Sequence, residues 1–108
     1  MKEGIYTVAF ESSRQSVGEG LVVVSNGRVH GGDIACTIRG IMNRPVMELE
    51  VHYYNQEIPS VLGMEEDYWL EISYSEAGEG RYDFSGHVKG HPERTLRAYA
   101  IFLTPLLK

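Results

Sequence analysis

Residues 18–33 read GEGLVVVSNGRVHGGD, and the middle of that stretch decides the fold. An apolar run at residues 21–24 enters Asn26-Gly27 and leaves through Arg28, Val29 and His30. A two-residue type I′ turn needs positive φ at both central positions, and Asn-Gly supplies it at little steric cost. The β-branched residues on either side are strand formers, so the dipeptide reads as a hairpin tip rather than an isolated turn. With one antiparallel pair set, its neighbours are judged by whether they continue it.

Upstream, Gly4 opens a strand over residues 5–10, with Tyr6, Val8 and Phe10 on one face and Ile5, Thr7 and Ala9 on the other. The aromatic face carries more apolar area and is assigned inward. Residues 11–17 are polar and read as a loop. Downstream, Gly31-Gly32-Asp33 is expected to break the hairpin. Glycines of this kind can cradle a phosphate when a helix follows. Here residues 35–42 carry Thr37, Ile38 and Ile41 and read as a strand, which favours a turn.

Residues 46–54 alternate, with Met47, Leu49, Val51 and Tyr53 opposite Glu48, Glu50, His52 and Tyr54. Residues 55–67 are irregular, and Pro59 marks a turn or an edge. Ile58, Val61, Leu62 and Met64 are too apolar for an exposed loop, so this segment is expected to plug one end of the sheet, with at most one helical turn. Residues 68–74 alternate again, and 76–80 form a Gly-rich turn. Residues 81–89 put Tyr82, Phe84, Gly86 and Val88 inward, and residues 90–93 turn the chain. In the last strand, 95–105, Leu96, Ala98, Ala100 and Phe102 form one row and Arg97, Tyr99, Ile101 and Leu103 the other.

About eight strands, joined mostly by short turns, leave an up-and-down barrel or a two-sheet sandwich. Sequential hairpins favour a single antiparallel up-and-down β-barrel, all-β, which also removes exposed edges. A barrel of ~8 strands holds packed side chains or one small ligand. Gly86, Ala98 and Ala100 on inward rows mark either room inside or tight strand packing. If there is room, Tyr6, Phe10, Tyr82, Phe84 and Phe102 would line a cavity for a small apolar ligand. The outer row Tyr99, Ile101 and Leu103 is apolar where water is expected, which suits a homodimer face or an end effect at the terminus.

The chain has 108 residues, the size of one domain spanning residues 1–108. It is long enough to bury a core without a disulfide or a metal. A formal net charge of −5, with scattered basic residues, argues against direct nucleic-acid binding. Cys36 is the only cysteine, so no intrachain disulfide forms, as suits a cytoplasmic protein. No apolar run is long enough for a membrane span or a secretion signal.

Candidate chemistry is sparse. His30, His52, His87 and His91 show no zinc-type spacing, so no metal or cofactor is expected. Glu65, Glu66 and Asp67 form the one dense acidic run, either a solvated loop end or a contact for a basic partner protein. Glu48, Glu50 and His52 share a face, but mixed polar rows on a wet face are ordinary. Ser12, Ser13 and Ser16 lack the turn that presents a nucleophile. Cys36 has no basic neighbour to activate it. No catalytic residue is assigned, and the chain reads as a non-enzyme.

Six stretches carry a resemblance: GIYTVAF at 4–10, VGEG at 17–20, GGDIA at 31–35, NQEIPSVLGMEEDYWL at 55–70, HVKG at 87–90 and YAIFLTPL at 99–106. In this order and spacing the chain resembles the GrlR family, negative regulators of type III secretion genes. The resemblance covers nearly the whole chain. It implies a calycin-like β-barrel with an apolar interior, a homodimer, and repression by binding and sequestering a transcriptional activator rather than by reading DNA. One departure stands out: the family's acidic surface motif is replaced here by Asn43-Arg44-Pro45-Val46. The family's contact with its activator is therefore not transferred to those positions.

Overall fold

The computed structural model describes residues 1–12, 17–42, 46–59, 62–64 and 66–107. It contains β1 (Gly4–Ser12), β2 (Val17–Ser25), β3 (Arg28–Gly32), β4 (Cys36–Ile41), β5 (Val46–Tyr53), β6 (Tyr68–Gly78), β7 (Arg81–Val88) and β8 (His91–Thr104). Each strand pairs with the next, and β1 pairs with β8, giving a closed up-and-down barrel of eight strands. All eight pairings are antiparallel. Among the described residues there is no helix; the plug contains only turns and bends.

The hairpin tip explains itself. Asn26 and Gly27 both have positive φ, 53° and 71°, and Ser25 faces Arg28 across the turn. These are the angles a type I′ turn requires, and its twist matches that of the flanking strands. The period-two rows then close the interior. Met47, Leu49 and Val51 of β5, Leu70 and Ile72 of β6 and Val22 and Val24 of β2 are buried in one core. Each such side chain contributes about 1.5–3 kcal/mol when fully removed from water.

Four boundaries differ from the sequence expectation. β1 runs on through Ser12 and β2 starts at Val17, so the polar loop is shorter than expected; residues 13–16 lie outside the described residues. Gly31-Gly32 does not break the hairpin but extends it, pairing with Val22 and Leu21 on one side and Ile38 and Thr37 on the other. The physical reason is proximity: a Cβ on Gly31 would lie 2.1 Å from the Leu21 carbonyl oxygen. β6 continues to Gly78, leaving only Glu79-Gly80 as the turn. β8 starts at His91 instead of turning there. Its register shifts so that Val88 faces His91 while His87 faces Thr95, and the chain between them bulges. Pro92, which has no N–H to donate, is accommodated in that bulge.

A candidate binding site in the barrel interior

The inward aromatic residues divide between two regions. Tyr82 and Phe102 both pack against Tyr6 where β1, β7 and β8 meet. Tyr6 is 0% exposed, its ring 5.5 Å from Phe102 in an edge-on arrangement and 6.1 Å from Tyr82. Its hydroxyl donates to the Lys2 carbonyl at 2.7 Å. Burial first, then the neighbouring Tyr82 and Glu76, hold that phenol above its ordinary pKa, so it stays a neutral donor. The Lys2 ammonium lies 3.9 Å over the Phe102 ring. These three aromatics fill their part of the barrel and do not line the open space, contrary to the sequence expectation for Tyr6, Tyr82 and Phe102.

Phe10 and Phe84 do line that space. It is a cavity of about 490 Å³, walled by apolar side chains from every strand of the barrel, among them Val8, Leu49, Val51, Leu70, Ile72 and Leu96. That volume lies in the ~300–1,000 Å³ range of small-molecule sites. Ala98 lines it too, while Ala100 is fully buried. Gly86 marks a tight strand crossing rather than room, since a Cβ there would lie 2.1 Å from the Glu71 carbonyl oxygen. Among the described residues no buried polar side-chain atom lacks a hydrogen-bond partner.

The segment between β5 and β6 covers one end of the cavity. Leu62 is buried in the core, and Ile58 and Pro59 line the cavity beside it. Three sets of contacts hold the plug. Tyr54 donates to the Asp33 carbonyl at 2.6 Å and Asn55 Nδ2 to that of Ile34 at 3.0 Å, fixing its start to the β3–β4 turn. Arg94, from the β8 bulge, donates through Nη1 to the Leu62 and Gly63 carbonyls at 3.1 and 2.9 Å and also meets Met64 Sδ. From the end of β5, the Tyr53 hydroxyl donates to the Ile58 carbonyl of the plug. Val61 lies outside the described residues. The apolar content of the plug was readable in the sequence; the Arg94 clamp was not, because it depends on a bulge.

The acidic run is divided. Asp67 is committed to the barrel: His52 Nδ1–H donates to Oδ2 at 2.9 Å, and the Tyr53 amide donates to Oδ1 at 2.9 Å. Those two hydrogen bonds, His52 first, hold the Asp67 carboxyl below its ordinary pKa. Glu66 is exposed, and Glu65 lies outside the described residues. The shared face of Glu48, Glu50 and His52 is likewise divided among three partners. Lys89 Nζ meets Glu48 at 3.0 Å, Arg39 meets Glu50 at 2.8 Å, and His52 is held by Asp67. His87 lies 3.9 Å from Glu71 and His91 3.4 Å from Glu93. Among the described residues no three His, Cys, Asp or Glu side chains are grouped as metal ligands.

At the plugged end, the Asp33 carboxylate shapes the β3–β4 turn by accepting from the Ala35 and Cys36 amides through Oδ1, both at 2.8 Å. Cys36 lines the cavity, and its thiol is pushed up to about 11, first by burial and then by the charges of Asp33 and Asp67. It therefore stays protonated and unreactive at neutral pH. Asp33, which lines the cavity, was not singled out as a site residue in the sequence. Nothing in a turn aspartate signals that it borders a cavity.

The outer surface of β2, β1 and β8 is the second feature. Thr7 faces Leu21 on one side and Ile101 on the other, and Ala9 faces Tyr99. Leu21, Tyr99 and Leu103 are 54%, 42% and 53% exposed, and Ile101 is half-buried. The closed barrel leaves this apolar strip facing water.

A solved structure of a redesigned β-barrel is similar to this chain with a TM-score of 0.57, covering 94% of this chain and 91% of its own, at 13% identity. That likeness is one of barrel architecture. No family model matches the chain, and no curated protein matches it.

Proposed function

We propose that this chain is a non-enzymatic regulatory protein of the GrlR type, cytoplasmic and dimeric, which binds and sequesters a protein partner such as a transcriptional activator. The observation that carries this reading is the exposed apolar strip around Leu21, Tyr99 and Leu103, because large exposed apolar patches mark interaction sites. The closed apolar barrel is also what the GrlR resemblance implies. Tyr99, Ile101 and Leu103 form the proposed dimer face, and Glu66 is an exposed carboxylate of the plug offered to a basic partner. Affinity capture from the native host tests the idea. Recovery of a transcription regulator by the wild type, and its loss with Tyr99→Glu/Leu103→Glu, supports the reading. Recovery of none overturns it, and sedimentation of the same pair of proteins reads the dimer separately.

A second reading has its own observation. The apolar cavity of about 490 Å³ supports a carrier or sensor of a small apolar molecule. Binding of an apolar fluorescent reporter, displaced by a long-chain alcohol, is its test. A chain that binds neither is not a carrier. The two readings are compatible, since a ligand in the interior touches the plug.

A further inference from the structure

We infer that the cavity, if it takes a ligand as the second reading holds, selects an amphiphile with a hydrogen-bond-donating, non-anionic head, an amine above all, and rejects the carboxylate of a fatty acid. The inference rests on how the wall is charged. Among the described residues the cavity wall carries no Lys, Arg or His. Among them Asp33, in the turn between β3 and β4 at the plugged end, brings a carboxylate to the cavity, whereas Glu19 lies opposite Ala9 on the outward row of β2. A carboxylate head would meet like charge beside Asp33, with no cation among the described residues of the wall to pair with it. Arg94, the cation that reaches the plug, is fastened through Nη1 to Leu62, Gly63 and Met64.

The position of the head follows from the interior. The deep wall is hydrocarbon, and no buried polar side-chain atom among the described residues waits for a partner. A polar head placed deep would lose its hydrogen bonds with water and gain none. It belongs at the plugged end, beside Asp33. The Ala35 and Cys36 amides hold Oδ1, which fixes the carboxylate; among the described residues Oδ2 has no hydrogen-bond donor. An ammonium or hydroxyl head can donate to Oδ2 without disturbing the turn. The body is bounded by volume: at roughly 30 Å³ per water-sized group, about 490 Å³ holds about 16 groups. A chain of about 10–16 carbons fits that space.

The experiment compares heads on one body. N-phenyl-1-naphthylamine serves as the reporter, displaced at low salt and submicellar concentration by dodecylamine, dodecanol or dodecanoate. We expect dodecylamine to bind at least about tenfold tighter than dodecanoate, with dodecanol between them. Asp33→Asn keeps an oxygen for the two amides and removes the charge. It should erase most of the amine's advantage and change dodecanol little, since a hydroxyl can accept from the amide Nδ2 where it donated to Oδ2. If Asp33→Asn does not fold, raising the salt concentration with the wild type, which screens a partly exposed carboxylate, should narrow the same gap. Dodecanoate binding as tightly as dodecylamine overturns the inference while dodecanol displacement keeps the carrier reading. An amine advantage unaltered by Asp33→Asn, or by salt where that variant does not fold, also overturns it. If neither reporter nor dodecanol binds, the carrier reading falls and takes the inference with it.

Discussion

The aromatic cluster and the cavity are built from the same kind of residue at the same period and end up opposite in character. Around Tyr6 the interior is solid, with rings in edge contact and the one hydroxyl bonded to backbone. Around Phe10 and Phe84 it is open. The difference lies in what stands beside each ring. Tyr6 meets two other large rings, whereas the cavity wall is closed by shorter aliphatic side chains and by Gly18, Gly20 and Gly32. Alternation decides which side chains point inward, and the sum of their volumes at each level decides whether the inside is filled.

That contrast can be broken by truncation. Tyr6→Ala should cost about 3–5 kcal/mol in urea denaturation, because it opens a hole in a filled region. Phe84→Ala, which enlarges a space already present, should cost only about 1–2 kcal/mol. Equal losses would mean that the cavity region is as tightly packed as the cluster. Gly86→Ala comes next, at about 1–3 kcal/mol by the same measurement, since the new methyl must displace the Glu71 backbone. Arg94→Ala should cost about 1 kcal/mol globally. Its sharper effect is local: faster amide hydrogen exchange at residues 55–64, with the Tyr6 strand unchanged.

The smallest effect is in acid. Asp67 is held below its ordinary pKa by His52 and the Tyr53 amide. The folded carboxyl binds its proton less readily than the unfolded one. Its contribution is therefore complete above the ordinary aspartate value and fades as pH falls through the lowered one. The urea midpoint should decline over that acid range in the wild type and decline less in Asp67→Asn. Identical acid limbs would show that this anchor adds nothing to folding.

Much of this architecture was legible before any coordinates. Asn26-Gly27 named its own turn, and the rows of β5 were read with the correct face inward, because burial of one face enforces period two. The cavity wall was legible only by half. Tyr6, Phe10, Tyr82, Phe84 and Phe102 all lie on inward rows, yet only Phe10 and Phe84 reach the open space. Alternation gives the face of a residue but not its height in a tilted barrel, which depends on register and closure. The same limit hid Asp33 and Arg94, whose roles come from turns and bulges that bring distant residues together. Glu48, Glu50 and His52 were correctly placed on one face, but their separate partners belong to neighbouring elements that a single strand's pattern does not contain.

The seam between β1 and β8 brings Ile5 beside Thr104, residues almost the whole chain apart. During translation the first strand must wait, one edge bare, until the last has cleared the ribosome. Throughout that interval the nascent chain is an open sheet with two sticky borders, and a chaperone or a second nascent copy can reach it before its own final strand does.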